Sequence, residues 1–477
     1  MWFRQDLRLA DNPALQAAIE GGGPVLPVFI YAPEEESPWE PGGASRWWLH
    51  SSLAALEERL RDAGSRLIIR RGPTLEALRE LVKQSGATAV FWNRRYEPAV
   101  IARDKIVKES LLGDGVRMGS FNGALLNEPW QIKNQSGKPF QVFTPFWKHC
   151  LAKTESVKVS PEAKSLPAPA AWPKSLALAE LKLEPTIDWA GGIREAWQPG
   201  EKGAHANLRR FLKDAITDYS VGRNLPDRVG TSRLSPHLHF GEITPRQVWQ
   251  EVENCALKKG ETNWRSSQFL AEIGWREFAH HLLYHFPATP TEPLRAEFKK
   301  MAQRKNPAGL RAWQKGRTGY PIVDAGMREL WATGWMHNRV RMIVASFLVK
   351  DLLLPWQEGA KWFWDTLVDA DLANNTLGWQ WTAGCGADAA PYFRVFNPTS
   401  QGEKFDPAGD YVRRWCPELG KMPAKWIHQP QKAPGEILRA AGVAIGRDYP
   451  EPMVNHYTAR EVALEAYSKI KGRRLSA

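Results

Sequence analysis

Two hydrophobic rhythms divide this chain, and the point where the first one stops constrains the fold more than any single residue. Up to about residue 125, short apolar runs of strand length alternate with helical repeats. Val25 to Tyr31, Leu67 to Ile69 and Ala89 to Trp92 are the strand-like runs. Between them, Leu49, Leu53, Leu56 and Leu60 recur at helical spacing within 45–63. Leu75, Leu78 and Val82 do the same within 73–84, behind Pro73. Alternating strands and helices predict an α/β domain built on a doubly wound parallel sheet. From about residue 201 the strand signal fades. Val340, Ile343, Val344, Phe347 and Leu348 mark one helix, stopped near Pro355. Thr458 and Glu461 form a capping-box pattern before an Ala-rich helix. The C-terminal part is therefore expected to be all-α. Between the two lies a stretch punctuated by Pro161, Pro167, Pro169, Pro173, Pro185 and Pro199, read as a long connector that wraps over the surface. The expected division is 1–126, 127–200 and 201–477.

A chain of 477 residues is long enough for two or three cores. Its net charge of +12 suits a polyanionic partner, nucleic acid before anionic membrane. Cys150, Cys255, Cys385 and Cys416 form no CxxC pair, so no metal site is expected, and such sparse cysteine fits a reducing cytoplasm. The N-terminus carries Arg4, Asp6 and Arg8 and no apolar signal core. Runs such as Ile343 to Val349 are far below the roughly 20 residues that span a bilayer. A soluble, cytoplasmic, monomeric protein is expected. Neither GxxxxGK[ST] nor a GxGxxG after a strand is present, so the α/β domain lacks the usual nucleotide fingerprints. The 23 tryptophans serve mostly as core, but indoles also stack on flat ligands and pass electrons.

Several segments, in order, resemble the photolyase/cryptochrome family. Trp2-Phe3-Arg4-Gln5-Asp6-Leu7-Arg8 with Asp11-Asn12-Pro13-Ala14-Leu15 is similar to its opening signature. Gly230-Thr231-Ser232-Arg233-Leu234-Ser235-Pro236 resembles its FAD phosphate loop. Trp275-Arg276-Glu277-Phe278, Trp335-Met336-His337-Asn338-Arg339-Val340-Arg341-Met342 and Asp369-Ala370-Asp371-Leu372 follow. Gly378-Trp379-Gln380-Trp381 and Tyr392-Phe393-Arg394-Val395-Phe396-Asn397-Pro398 complete the set. The resemblance implies an α/β antenna domain, a helical FAD-binding domain, and light-driven splitting of cyclobutane pyrimidine dimers in UV-damaged DNA.

The blocks also make chemical sense. Thr231, Ser232, Arg233, Leu234 and Ser235 place hydroxyls and N–H groups just before a helix, a natural anion site, although an ordinary Ser/Thr cap would look the same. The resemblance assigns this loop to the FAD diphosphate, with Tyr219, Arg223 and Asn224 upstream. It places Asp369, Asp371 and Asn375 along the ribityl chain and ring, with Arg341 and Arg394 as partners for the buried acids. Glu272, Trp275, Asn338, Met342 and Trp381 match the dimer pocket. A dimer must leave the duplex to reach a flavin. Trp275 and Trp381 would be flat walls for it, and Glu272 and Asn338 would donate to its carbonyls. Arg339 is assigned to the DNA backbone.

His337-Asn338-Arg339-Val340-Arg341-Met342 resembles the dimer-repair branch, and Asn375 stands where plant cryptochromes have an aspartate. Trp47-Trp48-Leu49-His50 and Arg94-Arg95-Tyr96-Glu97-Pro98 look like class III photolyases. The rival reading is a blue-light receptor without repair activity, usually marked by a long C-terminal tail and an acid at 375. Two departures stand out. Only Met1 precedes Trp2, so either the start lies upstream or the sheet edge is trimmed. Trp379 and Trp356 match the first two members of the family's electron relay, but the third position falls on Gln303, which cannot relay. Trp335 or Tyr392 would then carry a rerouted path. Class III resemblance implies a methenyltetrahydrofolate antenna against Trp47 and Trp48. Packing of both rings in a helix face, a deazaflavin or no antenna stay open, since the Asn-Glu pair used for folate elsewhere is Ala99 and Val100 here.

Overall fold

The structure is a computed structural model, and it describes residues 1–154, 157–389 and 393–471. Five parallel strands alternate with helices at the start: β1 (Trp2–Phe3), α1 (Pro13–Glu20), β2 (Val28–Tyr31), α2 (Gly43–Asp62), β3 (Ile68–Arg71), α3 (Thr74–Ser85), β4 (Ala89–Asn93), α4 (Pro98–Gly113) and β5 (Arg117–Phe121). β1, β2 and β3 form one ladder, and β4 with β5 another. β1 also packs beside β4. The break has a local cause. β1 is two residues long, and side chains take over where its ladder ends. Arg4 N–H donates to Asp6 Oδ1 at 2.6 Å, the Arg4 guanidinium donates to the Asn93 carbonyl, and Asn93 Nδ2 donates to Asp6 Oδ2 at 2.6 Å.

Trp2, Val28, Ile30, Ile68, Ala77, Leu78, Leu81, Val90 and Trp92 share one core with Val107 and Leu111 of α4. The leucines of α2 lie on its buried face, whereas α3 buries Thr74, Ala77, Leu78 and Leu81 and leaves Leu75 and Val82 partly buried against the same core. Arg8 is fully buried among carbonyls of Asp11, Gly123 and Gly241. The polar residues of the opening segment are hydrogen-bonding struts.

The connector lies along this body. Val25 N–H donates to the Pro167 carbonyl, Leu166 N–H to Ala63 and Leu176 N–H to Ile69. Prolines break helices there while their carbonyls still accept hydrogen bonds. Within 127–200 the helices Phe143–Lys153 and Gly191–Ala196 were not anticipated from sequence. Beyond residue 200 no named strand occurs among the described residues.

Val340, Ile343 and Val344 are buried in the helix Asn338–Ser346, and Phe347 and Leu348 in the wider π-type turn Phe347–Asp351 that continues it. The capping box at Thr458 and Glu461 is corrected. The last helix starts at His456, and Asn455 Oδ1 accepts the Tyr457 and Thr458 N–H groups. Asparagine caps as well as threonine, and it comes earlier.

The chain divides into two compact units that do not follow sequence order. One comprises 1–214, 232–287 and 368–373; the other comprises 215–231, 288–367 and 374 onward. All four cysteines are free. Among the described residues there is no metal-ligating cluster, and no helix is long and apolar enough to cross a membrane.

Candidate cofactor and substrate site

The segment 219–235 begins with buried Tyr219, whose ring lies 5.7 Å from the Arg223 guanidinium carbon. Gly230 presses backbone-to-backbone on Gly222. A Cβ on Gly230 would stand 2.5 Å from the Gly222 carbonyl oxygen, so only glycine fits. Thr231, Ser232 and Arg233 are half-buried, Leu234 is buried and Ser235 is exposed. Arg233 adopts φ +53°, which turns the chain sharply, and its guanidinium lies over Trp197 at 4.2 Å. The helix Ser235–His239 has no side-chain cap. The hydroxyls are therefore not spent on ordinary capping, and the first N–H groups of that helix have no side-chain acceptor.

Asp369 and Asp371 are both buried. Asp371 Oδ2 lies 3.5 Å from His239 Nδ1 and 3.5 Å from His280 Nε2. Burial pushes the Asp371 carboxyl up, but His280, His239 and Arg276 outweigh it and hold it well below the usual range. Imidazoles from two other segments were not expected as partners. Arg394, expected on a buried acid, is exposed, and its guanidinium lies over Phe396 at 4.8 Å. Arg341 donates to the Met336 carbonyl at 2.8 Å. Asn375 is half-buried and donates to the Ala360 carbonyl at 3.1 Å.

Of the residues expected to wall the pocket, Glu272 and Trp275 belong to the first unit and Asn338, Met342 and Trp381 to the second. In the first, Glu272 and Trp275 sit three residues apart on the helix Gln268–His285, hence on one face. Glu272 accepts from Gln268 Nε2 at 2.8 Å, and Trp275 stacks on Phe143 with centroids 3.9 Å apart. In the second, His337 caps the helix Asn338–Ser346, its Nδ1 accepting the Arg339 N–H at 3.2 Å. Burial, then the nearby Arg339, Arg341 and Arg223 charges, pull the His337 pKa down to about 3, which keeps it a neutral acceptor. Asn338 is exposed; Arg339 and Met342 are half-buried. Arg339 is set by Asn224 Oδ1 at 2.5 Å and by the Phe405 ring at 4.5 Å. Trp381 is half-buried and lines a small cavity with Lys350, Phe393 and Tyr467.

Comparison with known proteins decides what this arrangement belongs to. The family described as "DNA photolyase" matches residues 1–170, and "FAD binding domain of DNA photolyase" matches 269–469. Deoxyribodipyrimidine photo-lyase of Agrobacterium fabrum is 50% identical over 99% of this chain and 98% of that protein. The chain belongs to the photolyase/cryptochrome family. Cryptochrome-2 of Arabidopsis thaliana is 44% identical over 99% of this chain and 79% of its own length. The crystal structure of a bacterial class III photolyase from Agrobacterium tumefaciens superposes with a TM-score of 0.95 at 50% identity, covering 99% of this chain and 97% of that one.

Photolyase-family membership brings FAD as cofactor, and the donor set fits it. The uncapped helix start and the hydroxyls of Thr231, Ser232 and Ser235 suit a diphosphate. The Gly222–Gly230 contact leaves backbone where a Cβ would intrude. Buried Asp369 and Asp371 offer acceptors for hydroxyl and N–H groups. The glycine pair is legible as sequence only once its spacing to Tyr219 is noted. His239 and His280 carry no local signal.

The tryptophans of this photolyase relative are placed as follows. Trp379 is buried, its ring against Phe363 at 5.0 Å and Trp313 at 6.2 Å. A Cβ on Gly359 would lie 2.0 Å from Trp379 Cη2. Trp356 is buried at the start of the helix Trp356–Thr366, Gln303 is exposed and Trp335 is half-buried. Tyr392 lies outside the described residues. Trp48 is fully buried, donates Nε1–H to Glu242 at 2.9 Å and stacks on Phe240. Trp47 is buried against the edge of Trp48. Packing and one hydrogen bond thus account for Trp48.

Proposed function

We propose that this chain is a deoxyribodipyrimidine photolyase that repairs cyclobutane pyrimidine dimers in UV-damaged DNA, as a monomer, in the cytoplasm. The observation that carries the reading is the first turn of the helix Asn338–Ser346. There a buried neutral His337 fixes the backbone, exposed Asn338 stands open to a ligand, and half-buried Met342 accepts from Arg339 at 3.7 Å beside it. Reduced FAD, when bound and excited by light, supplies the electron that opens the cyclobutane ring and takes it back.

The chain's own residues bind, orient and polarise. Trp275 and Trp381 give the extruded dimer flat apolar walls. The Asn338 amide donates to carbonyls on which negative charge builds, with Glu272 beside Trp275 on the same helix face. Arg339, already aimed by Asn224 and Phe405, neutralises a phosphate. Tyr219 and the segment Thr231 to Ser235 hold the cofactor's diphosphate, while Asp369, Asp371, Arg341 and Asn375 hold its ribityl chain and ring. Trp379 and Trp356 deliver electrons that recharge the cofactor. A folate antenna against Trp47 completes the proposal, read as a near-ultraviolet absorption band beside the flavin bands.

The test is illumination of the chemically reduced protein with dimer-bearing oligothymidine, following recovery of thymine absorbance. Light-dependent recovery is expected. Bound, fully reduced flavin without recovery would point to the receptor reading instead.

A further inference from the structure

Asp371 shares one carboxylate oxygen between two buried imidazoles, and the outer nitrogens of those rings fix where the protons lie. His239 Nε2 is 3.2 Å from the Gln5 amide nitrogen, which only donates. His239 Nε2 therefore carries the lone pair, and Nδ1 carries the hydrogen, 3.5 Å from Asp371 Oδ2 without closing a hydrogen bond. His280 Nδ1 is 3.0 Å from the Arg276 carbonyl oxygen, which only accepts. Nδ1 must carry a hydrogen there. A neutral His280 would then present its Nε2 lone pair to Asp371 Oδ2 across 3.5 Å. Two acceptors facing each other in a buried site is a costly arrangement, and one added proton converts it into a charge-assisted hydrogen bond.

We propose that His280 is an imidazolium in the FAD-loaded protein, and that it holds Asp371 as a carboxylate toward the cofactor while His239 steadies the same oxygen. The inference rests on the FAD reading above. His280 is a positioning residue, since it acts through Asp371.

The neighbouring polar groups are committed elsewhere. The Arg276 guanidinium is occupied by the carbonyls of Ala124 and Leu238. The Tyr96 ring meets His280 edge-on, and its hydroxyl is committed to Glu128 at 2.8 Å. Burial, with Arg276, holds the His280 pKa below its ordinary value against the upward pull of Asp371, the Arg276 carbonyl and Glu97, so the charged form rests on the facing lone pairs at Asp371 and not on the wider surroundings. With His280 charged, the pair is neutral overall, and the cofactor is spared an uncompensated anion beside it as it takes up electrons.

The experiment is nitrogen-15 NMR of histidine-labelled, FAD-loaded full-length protein at neutral pH. The expected result is a His280 signal with both ring nitrogens protonated. A neutral tautomer with flavin bound would overturn the proposal. In parallel, His280→Gln keeps a donor but removes the charge, and the flavin midpoint potential should shift downward. An unchanged potential in a flavin-loaded variant would also overturn it. Should the variant fail to fold, the wild-type spectrum decides alone. A wild-type chain that retains no flavin overturns the cofactor reading itself; a loaded chain with neutral His280 overturns only this one.

Discussion

Asn375 donates its amide to the Ala360 carbonyl, so an aspartate at this position would turn oxygen against oxygen unless it were protonated. Partial burial raises a carboxyl pKa, so Asn375→Asp should cost about 1–3 kcal/mol of stability at high pH. The sign follows from the raised folded-state pKa. The loss is absent below the unfolded pKa and grows as pH rises through the folded one, which urea unfolding at acidic and alkaline pH will show. Repair by the reduced variant should fall as well. Trp379→Phe should slow photoreduction of oxidised flavin several-fold or more, yet leave repair intact once the flavin is reduced chemically. Absorbance changes under illumination measure the first, and thymine recovery measures the second. At this scale the sequence was legible where a residue type announces chemistry, as with the acids at 369 and 371. It was silent where the partner is an ordinary histidine distant in the chain, as with His239 and His280.

Helix identity was legible from leucine spacing, because buried faces repeat at the helical period in α2 and α3. Helix contacts were not. Gly359 sits in the helix Trp356–Thr366, where propensity alone favours alanine by about 1 kcal/mol. Its missing Cβ is filled by Trp379, so Gly359→Ala should instead destabilise by about 1–3 kcal/mol, measured by thermal unfolding. A second element-level contact joins the helix Gln268–His285 to the segment after β5. Glu277 accepts the Leu126 and Asn127 N–H groups, and burial raises its pKa to about 7. Its contribution is therefore fully present below the unfolded value, near 4.5, and is lost as pH rises through about 7. Glu277→Gln keeps an acceptor and removes the titration. The variant should gain on the wild type between pH 5 and 8, by at most about 3 kcal/mol. Paired urea titrations at those pH values check it. The sheet was read correctly as parallel, but the gap between β1 and β4 was not foreseen. It depends on Arg4, Asp6 and Asn93 taking each other as partners, and no periodicity records that.

For the whole molecule, the +12 charge makes DNA affinity a function of salt. Binding of dimer-bearing DNA should weaken linearly in log–log form, and Arg339→Ala should reduce the slope by about 1, the signature of one lost phosphate contact. Fluorescence anisotropy across a salt series measures it; an unchanged slope removes Arg339 from the DNA backbone. The division into two compact units was beyond sequence reading, since apolar patterning reports what is buried but not which distant stretches share a core. Its consequence reaches into synthesis. A ribosome releases the chain from its N-terminus, and domains usually fold in that order. Here the first unit lacks its last stretch until residue 373 has emerged, by which time 288–367 of the second unit is out as well. A nascent chain paused after residue 214 or 287 would hold an incomplete first unit, its unfilled core open to chaperones. Neither half can be finished early, so a stop codon anywhere before residue 373 leaves no complete unit at all.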